Sequence, residues 1–490
     1  MYTEYLPARP AEGELEPVKK LAKPFLIFFA VLALFFVSCE KESEQSSVPE
    51  KADDPVFSEY DDPGKLDYEE FTLVFFTERD GYDVNYIDAD GEISDSLSSA
   101  IASRNAVVKE KLNAKVRIEN TKSLRVKTRT EILAGKTEFN AILARGTWLS
   151  ELAKEGLLLD LTGEEKLSLG SSFWDQNANK QLMVGGALYF TNCAFNIRSS
   201  PVMLYYNEDL FEQNGLTSPR VFLEKNEWTL DNFLTIIRAF SPADGDDLRS
   251  ENVPRSIQIT HSDLSAFLYG CGIRETTNVG NKIKITLPGE KTDEVFAKIS
   301  SLYGDSRHAF CVSCSSVDVH ERATKYDYMR YLFTQDLYLF CIASSDVSDF
   351  GEMRSRFGVA PIPNYDASQE EYYALYPREE VLFALPIGAE DPGRTADIVR
   401  ELNRASETQL LPAWENDILT YAGGVNTDSI PELQTVLASF CYDLGILYDF
   451  GGIHSEVMLL DPARNKFSEA FEERQPVISA QIEDFSDLFR

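Results

Sequence analysis

Arg145 and Trp148 form the pair of residues whose chemistry is easiest to interpret from the sequence. The tryptophan ring offers a flat apolar face, and the guanidinium group just before it offers a rigid fork of hydrogen-bond donors. Sugar rings stack their axial C–H faces on aromatic rings, while their hydroxyls take charge-assisted hydrogen bonds. The pair therefore favours a sugar-type ligand. The alternative is that Trp148 begins the following helix and packs internally.

Glu78 and Tyr82 follow the first predicted strand and are also candidates for ligand binding. Glu78 and Asp80 could also act as the two carboxylates of a glycoside hydrolase. The chain has 80 acidic residues, so such pairs are common by chance. It contains no G-x-S-x-G, H-E-x-x-H or Walker-type motif. We therefore expect no enzymatic activity and keep glycoside hydrolysis as a minor alternative.

Four further aromatic residues are candidates for ligand contacts: Trp174, Tyr189, Tyr205 and Trp414. Aromatic residues of this kind are as often part of the core as in contact with a ligand. Both interpretations stay open for these four side chains.

The seven cysteines raise questions of metal binding, redox chemistry and lipidation. Cys311 and Cys314 have redox or zinc spacing, but a second C-x-x-C pair is missing, and neither His308 nor His320 stands at a recognised zinc spacing from them. We therefore expect no metal and no cofactor. Cys39 has a separate role, described next, which leaves six cysteines that could pair in an order that the sequence does not fix.

The N-terminal segment resembles a bacterial lipoprotein signal peptide. Lysines at 19, 20 and 23 precede an uncharged run, Phe25 to Val37, which would span about 20 Å as a helix and is too short to cross a membrane. The run ends Phe36-Val37-Ser38-Cys39, which is similar to a lipobox, so Cys39 is the expected lipidation site. Residues 1–38 would then be a signal peptide, and the polar, acidic residues 39–69 a flexible tether. An uncleaved membrane anchor is the alternative.

The net charge of −33 limits the classes of partner. A strongly acidic surface repels nucleic acid and anionic lipid headgroups, so we expect no nucleic-acid partner. With 43% apolar residues, the chain has enough material for sizeable cores, and its 490 residues favour two or more domains.

The elements that must position these side chains alternate between strand and helix. An apolar run at 71–76 predicts a buried strand, and a helix begins at Asp95 and ends at Asn113. A strand at 115–119, a short helix at 130–133 and a strand at 139–143 follow. This order predicts an α/β layer with a mostly parallel sheet, in which ligands bind beyond the carboxyl ends of the strands. Farther on, Thr229 is a predicted N-cap.

Two segments resemble a known family. The stretch 202–216 (VMLYYNEDLFEQNGL), followed by Pro219 and Trp228-Thr229, is similar to the extracellular solute-binding proteins of ABC transporters, in the carbohydrate-binding group. The segment 357–363 (FGVAPIP), with the tyrosines after it, resembles a clostridial-type subgroup. Asn140 stands where that group often has aspartate, and Asp336 where it has glycine.

The resemblance implies a two-lobed periplasmic-binding-protein-like α/β fold, in which a hinge closes two lobes on a ligand in the cleft between them. It places the first lobe at 70–190 with 358–415, and the second at 200–357 with 416–490. The implied function is to bind a small solute, a mono- or oligosaccharide, and to pass it to the permease subunits of an ABC importer. The protein would be a monomer, held by its N-terminal lipid on the extracytoplasmic face of the membrane. A surface sensor or adhesin that keeps this fold is the alternative.

Overall fold

The computed structural model describes residues 57–78, 86–88, 94–196, 202–279, 282–316, 324–343, 350, 353–376, 381–421, 429–458 and 467–489. The predicted signal peptide, the lipidation site Cys39 and the candidate Tyr82 lie outside these ranges. Within them, none of the helices is long and apolar enough to cross a membrane.

A four-stranded sheet, with strand order β12-β3-β1-β2, organises what we call the first lobe. Strands β1, β2 and β3 are parallel, and β12 is antiparallel to β3. Strand β1 is buried along most of its length, which agrees with its largely apolar sequence FTLVFF. The strands are β1 (Phe71–Glu78), β2 (Ala114–Thr121), β3 (Ala141–Arg145) and β12 (Val381–Ala384).

The helices of the first lobe begin and end where local signals place them. Ser94 caps α1 by accepting a hydrogen bond from the N–H of Leu97, and Asn113 ends it in the left-handed conformation, φ 46°. The predicted bounds of α1 are thereby confirmed. The helices are α1 (Asp95–Leu112), α2 (Leu124–Leu133), α3 (Gly146–Lys154), α4 (Gln176–Gln181) and α11 (Pro392–Tyr421).

A five-stranded sheet, with strand order β10-β4-β9-β5-β8, organises the second lobe. Strands β5, β8 and β9 run parallel, while β4 is antiparallel to both of its neighbours. The strands are β4 (Met203–Asn207), β5 (Arg255–Ile259), β8 (Ala309–Cys311), β9 (Tyr338–Ala343) and β10 (Phe357–Ala360).

Helices cover this second sheet, and Thr229 caps α7 as predicted, accepting from the N–H of Asn232. The helices are α5 (Glu208–Gln213), α6 (Pro219–Glu224), α7 (Leu230–Ala239), α8 (Asp263–Gly270), α9 (Glu290–Tyr303), α10 (Lys325–Thr334) and α12 (Ile430–Ala438). The second lobe also contains an antiparallel hairpin of β6 (Thr276–Val279) and β7 (Lys282–Ile285).

A third group of elements lies where the two lobes adjoin, and we call it the junction. It contains β11 (Ala374–Leu375), β13 (Phe440–Cys441), α13 (Leu444–Tyr448) and α14 (Phe467–Leu488). Between α13 and α14 lie a 3-10 turn, Phe450–Gly452, and a π-helical turn, Ile453–Met458.

The chain returns to the first lobe later than the sequence suggests. The predicted return near residue 358 falls in β10, whose backbone pairs with β4 in the second sheet. The chain rejoins the first sheet at β12, where Val381 pairs with Arg145. Likewise, the passage expected near 415 falls inside α11, which packs on α1 and continues to Tyr421. The predicted lobe boundaries of 358 and 415 were wrong for this reason.

Residues 57–69 belong to the folded first lobe, so the predicted tether 39–69 was too long. The backbone N–H groups of Leu66 and Tyr68 donate to the carbonyls of Lys111 and Leu112 at the end of α1, both at 2.9 Å. The hydroxyl of Tyr60 donates to a carboxylate oxygen of Glu401 in α11 at 3.0 Å. Backbone hydrogen bonds, a partly buried side-chain hydrogen bond and partly buried apolar side chains thus hold a segment whose composition alone looks disordered.

Candidate functional site

Arg145 and Trp148 lie together at the carboxyl end of β3. Arg145 is the last residue of the strand and Trp148 lies in the first turn of α3. The guanidinium carbon lies 5.1 Å from the centre of the indole ring, within cation–π range. Both side chains are half-buried, and the ring also packs partly against the core. The pair therefore combines an aromatic surface with a positioned fork of donors. The alternative that Trp148 begins the following helix and packs internally is partly correct as well.

The carboxyl edge of the first sheet also carries the first turns of two helices. Helix α3 has no side-chain cap, whereas Ser94 caps α1. The hydroxyls of Ser94 and Ser96 both donate to the carboxylate of Asp417 near the end of α11. Helix N-termini, hydroxyls and a guanidinium are all groups that can bind hydroxyl-rich, uncharged solutes by hydrogen bonds.

Tyr189 is half-buried and contacts the carboxyl-terminal end of the chain. Its ring centre lies 5.3 Å from that of Phe489. Burial raises the pKa of the Tyr189 hydroxyl. Phe489 in turn contacts Phe485 of α14, whose ring lies 4.4 Å from Tyr448. Tyr189 therefore belongs to an aromatic cluster that joins the first lobe to α13 and α14.

Trp174 and Tyr205, for which the sequence left both a core position and a ligand contact open, are buried in the core of this structure. Trp174 is 2% exposed, and its indole N–H donates to the carbonyl of Leu167 at 2.8 Å. Tyr205 is 1% exposed because β4 is an inner strand of the second sheet, and its ring packs edge-on against Phe350 at 4.9 Å. Neither ring has a face open to a solute in this structure.

Trp414 is also largely packed, with 9% of its surface exposed. It lies in a cluster with Leu97, Ile101 and Leu410, between α1 and α11. Trp414 lies inside the long helix α11 and not at a passage between the lobes. The backbone of Glu78 ends β1 at the same edge of the sheet, but its side chain, like Tyr82, lies outside the described part of the structure.

The junction holds a buried polar network that the sequence reasoning missed. The hydroxyl of Tyr442 donates to a carboxylate oxygen of Asp175 at 2.6 Å and accepts from the amide of Asn192 at 2.9 Å. Burial raises the pKa of Asp175 above its ordinary value, although the hydrogen bond from Tyr442 acts in the opposite direction. These partners are far apart in sequence, so no local pattern could have revealed them.

Asp443 is the centre of a second network at the junction. Its carboxylate accepts from the hydroxyl of Tyr269 at 2.7 Å, from the N–H of Glu275 at 2.7 Å and from the hydroxyl of Thr276 at 2.6 Å. It also caps α13 by accepting from the N–H of Gly445 at 2.8 Å. Asp443 therefore binds the second-lobe elements α8 and β6 to the start of α13.

Helix α13 continues this connection to the first lobe. The hydroxyl of Ser150, in α3, donates to the carbonyl of Thr147 in its own helix at 2.7 Å and shares this proton with the carbonyl of Leu447 at 3.1 Å. The ammonium of Lys154 lies 5.7 Å from the ring centre of Tyr448. The helix that carries Trp148 is thus attached to the second lobe through α13, which gives the pair Arg145–Trp148 a fixed place relative to the junction.

Glu275 and His454 form a buried pair close to Asp443. A carboxylate oxygen of Glu275 lies 2.6 Å from Nδ1 of His454, and both side chains are buried. Burial raises the pKa of Glu275 to about 7. The other oxygen of Glu275 has no hydrogen-bond partner in the described part of the chain.

The described cysteines form one disulfide and four free thiols, a pairing that the sequence left open. Cys311 and Cys314 form a disulfide. The other described cysteines, at 193, 271, 341 and 441, are free thiols in the interior. Burial raises the pKa of Cys271 and of Cys341 to about 12, so both are inert thiols at neutral pH.

Comparison with known proteins shows similarity in structure and not in sequence. The sequence matches no protein-family model and no curated protein. The fold is similar to that of a cyclo/maltodextrin-binding protein complexed with maltotetraose, with a TM-score of 0.56, 13% identity, and coverage of 85% of this chain and 98% of that one.

A second similar structure is the galacto-N-biose-/lacto-N-biose I-binding protein of the ABC transporter from Bifidobacterium longum, in complex with lacto-N-biose. The TM-score is 0.54 at 13% identity, and the match covers 87% of this chain and 99% of that one. These matches confirm the expected fold class, a two-lobed periplasmic-binding-protein-like α/β fold.

Proposed function

We propose that this protein binds a carbohydrate, a mono- or oligosaccharide, outside the cytoplasm and delivers it to an ABC importer. The observation that carries the proposal is the stacked pair Arg145–Trp148 at the carboxyl edge of the first sheet. In α/β sheets, ligands bind at this edge. Two structures with the same fold contain bound oligosaccharides.

The pair suits a sugar for a physical reason. A pyranose ring laid on the indole of Trp148 would remove apolar surface of both partners from water, while the guanidinium of Arg145 donates to its hydroxyls. No charge on the ligand is required, which agrees with a protein of net charge −33 that would repel anions. Binding and release, with no chemical step, would follow from closure and opening about the junction.

The first test is a thermal-shift screen of residues 57–490 against mono- and oligosaccharides, with amino acids and peptides as controls. A ligand at 100 times its dissociation constant adds about 2.7 kcal/mol to the free energy of unfolding, which raises the melting temperature measurably. A sugar hit would support the proposal. A hit among peptides alone would replace the substrate class, and no hit at all would favour the alternative of a surface sensor or adhesin.

The second test uses the sugar found in the screen and locates its binding site. Trp148→Ala should weaken binding by about 1–3 kcal/mol, since it removes the stacking surface. Leu133→Ala is a matched control, because Leu133 is 72% exposed and ends α2, which leads into β3 from the opposite edge of the sheet. Equal affinities of the folded Trp148 variant and the wild type in calorimetry would exclude this site.

The finer parts of the proposal concern the cell surface. We propose that Cys39 is lipidated after removal of residues 1–38, that the protein is a monomer on the extracytoplasmic face of the membrane, and that it resembles the clostridial-type subgroup. The lipobox-like Phe36-Val37-Ser38-Cys39 supports the first of these. Mass spectrometry of the mature N-terminus in wild type and Cys39→Ser tests it, and an unmodified Cys39 would contradict it.

A further inference from the structure

His261, Cys311 and Cys314 come together at the carboxyl edge of the second sheet, although His261 is distant from the cysteines in sequence. Strands β5 and β8 are parallel, with Ile259 paired to Cys311. The chain leaves the sheet at the same edge after each of these two strands, so His261, just beyond β5, lies beside the turn that begins at Cys311. In the described part of the chain, no other three His, Cys, Asp or Glu side chains converge in this way.

The geometry of this trio is that of a three-ligand metal site. Nε2 of His261 lies 3.5 Å from Sγ of Cys314, and all three ligand atoms lie within 4.8 Å of one another. Around a tetrahedral zinc ion, a sulfur and a nitrogen ligand are separated by about 3.6 Å, and two sulfurs by about 3.8 Å. The Cα atoms of the cysteines are 5.2 Å apart, so opening the disulfide to that separation needs only rotation of the side chains.

Backbone and side-chain hydrogen bonds hold the turn in place in addition to the disulfide. The N–H of Cys314 points at Sγ of Cys311, at 3.0 Å, and would stabilise negative charge on that sulfur. The N–H of Val312 donates to the carbonyl of Ile259 at 2.9 Å. The ammonium of Lys325 donates to the carbonyls of Val312 and Ser315 at 3.0 and 3.2 Å. The cysteines would therefore stay near His261 after reduction.

We propose that Cys311, Cys314 and His261 form a thiol-gated site for a zinc-class ion. In the oxidised state the disulfide occupies both sulfur ligands and no ion binds. An external small dithiol opens the site: one of its thiolates attacks the sulfur of Cys314, an exposed residue, the S–S bond breaks, and Cys311 leaves as a thiolate. The second thiol of the reductant then releases Cys314, and the reductant departs as its own disulfide.

Metal binding completes the step. The ion displaces the remaining thiol proton and is held by two thiolates and a neutral imidazole, with a fourth position for water. The four other described cysteines are buried and unpaired, so they offer no competing site at the surface. The sequence spacing alone did not reveal the site because its third ligand comes from the neighbouring strand.

Cobalt(II) is the probe, because its thiolate complexes absorb strongly in the near ultraviolet. We expect no absorption with the oxidised protein. After treatment with a phosphine reductant, followed by its removal, we expect one cobalt ion per chain. Cys311→Ser and Cys314→Ser should abolish the thiolate band, and His261→Ala should weaken binding at least about tenfold. His308→Ala is a matched control, since His308 pairs with Asp305 before β8.

Three results would overturn the proposal. The first is a reduced protein in which a thiol assay finds both sulfurs free but which takes up no cobalt. The second is a cobalt complex that persists in both cysteine variants. The third is a disulfide that resists reduction while the protein is folded, because the proposal requires the sulfur of Cys314 to be accessible. Circular dichroism of each variant shows that it has folded.

Discussion

Replacing Asp443 by alanine should be among the most destabilising single substitutions in this protein. The carboxylate accepts hydrogen bonds from the side chains of Tyr269 and Thr276 and from the backbone of Glu275, Thr276 and Gly445. Asp443 itself is 3% exposed, so its donors have little access to water. Alanine would leave these buried donors without an acceptor and would also remove the cap of α13.

The magnitude follows from the cost of each orphaned group. An unsatisfied buried donor costs about 1–3 kcal/mol, and the loss of a helix cap about 1 kcal/mol. Because some donors can relax toward one another or toward water, we expect the free energy of unfolding to fall by about 4–6 kcal/mol for Asp443→Ala. Asp443→Asn keeps one acceptor oxygen but turns an amide toward donors, so we expect about half of that loss.

Urea unfolding, followed by both tryptophan fluorescence and circular dichroism, measures the effect. Asp244→Ala is the matched control, since the Asp244 side chain is 98% exposed and pairs with Arg307 only at the surface. Its substitution should change the free energy of unfolding by less than about 0.5 kcal/mol. A loss below about 1.5 kcal/mol for Asp443→Ala would refute the reasoning that this network holds the junction together.

Three further predictions concern other parts of the molecule. Burial raises the pKa of Asp263 to about 7, so the contribution of this carboxyl group to stability is present below about pH 4 and is lost as the pH rises to 7. The melting temperature of Asp263→Asn should therefore rise relative to that of the wild type between about pH 4 and pH 7. Parallel melting curves of the two proteins across this range would contradict the prediction. Gly358→Ala should cost about 1–3 kcal/mol in urea unfolding, because its new methyl would collide with the ring of Tyr206, and an unchanged midpoint would argue against that close contact. Tyr60→Ala should speed hydrogen exchange in residues 57–68 by freeing them from Glu401, whereas unchanged protection would show that other contacts suffice.

Local features were predictable from the sequence because neighbouring residues decide them. The apolar run of β1 and the bounds of α1 depend on side chains that are close in sequence, such as Ser94 and Asn113. The two departures from the resembled family also have local explanations. Asn140 accepts from the N–H of Val74 at 2.9 Å, and Asp336 adopts φ 58° while accepting from the amide of Asn207 at 2.7 Å. Both side chains are therefore held by hydrogen bonds in this structure.

The candidate site was harder to predict because burial depends on distant partners. Trp148 is half-buried beside Arg145, whereas Trp174 is fully packed near Phe383 of β12. Phe383 comes from much later in the chain, so no local pattern shows that it buries Trp174. The same reasoning explains the missed contribution of His261, since only the pairing of β5 with β8 places it beside the cysteines.

The strand order of the two sheets has a consequence for how the chain folds. The strands of the second sheet all lie within residues 203–360, so that sheet can form from one continuous segment. The first sheet cannot be completed until β12 pairs with β3, and until then β3 presents an open edge. Closing so long a loop is slow. In refolding from denaturant, we therefore expect the amides of the second lobe to gain protection from hydrogen exchange first, and aggregation to begin at the unpaired edge of β3.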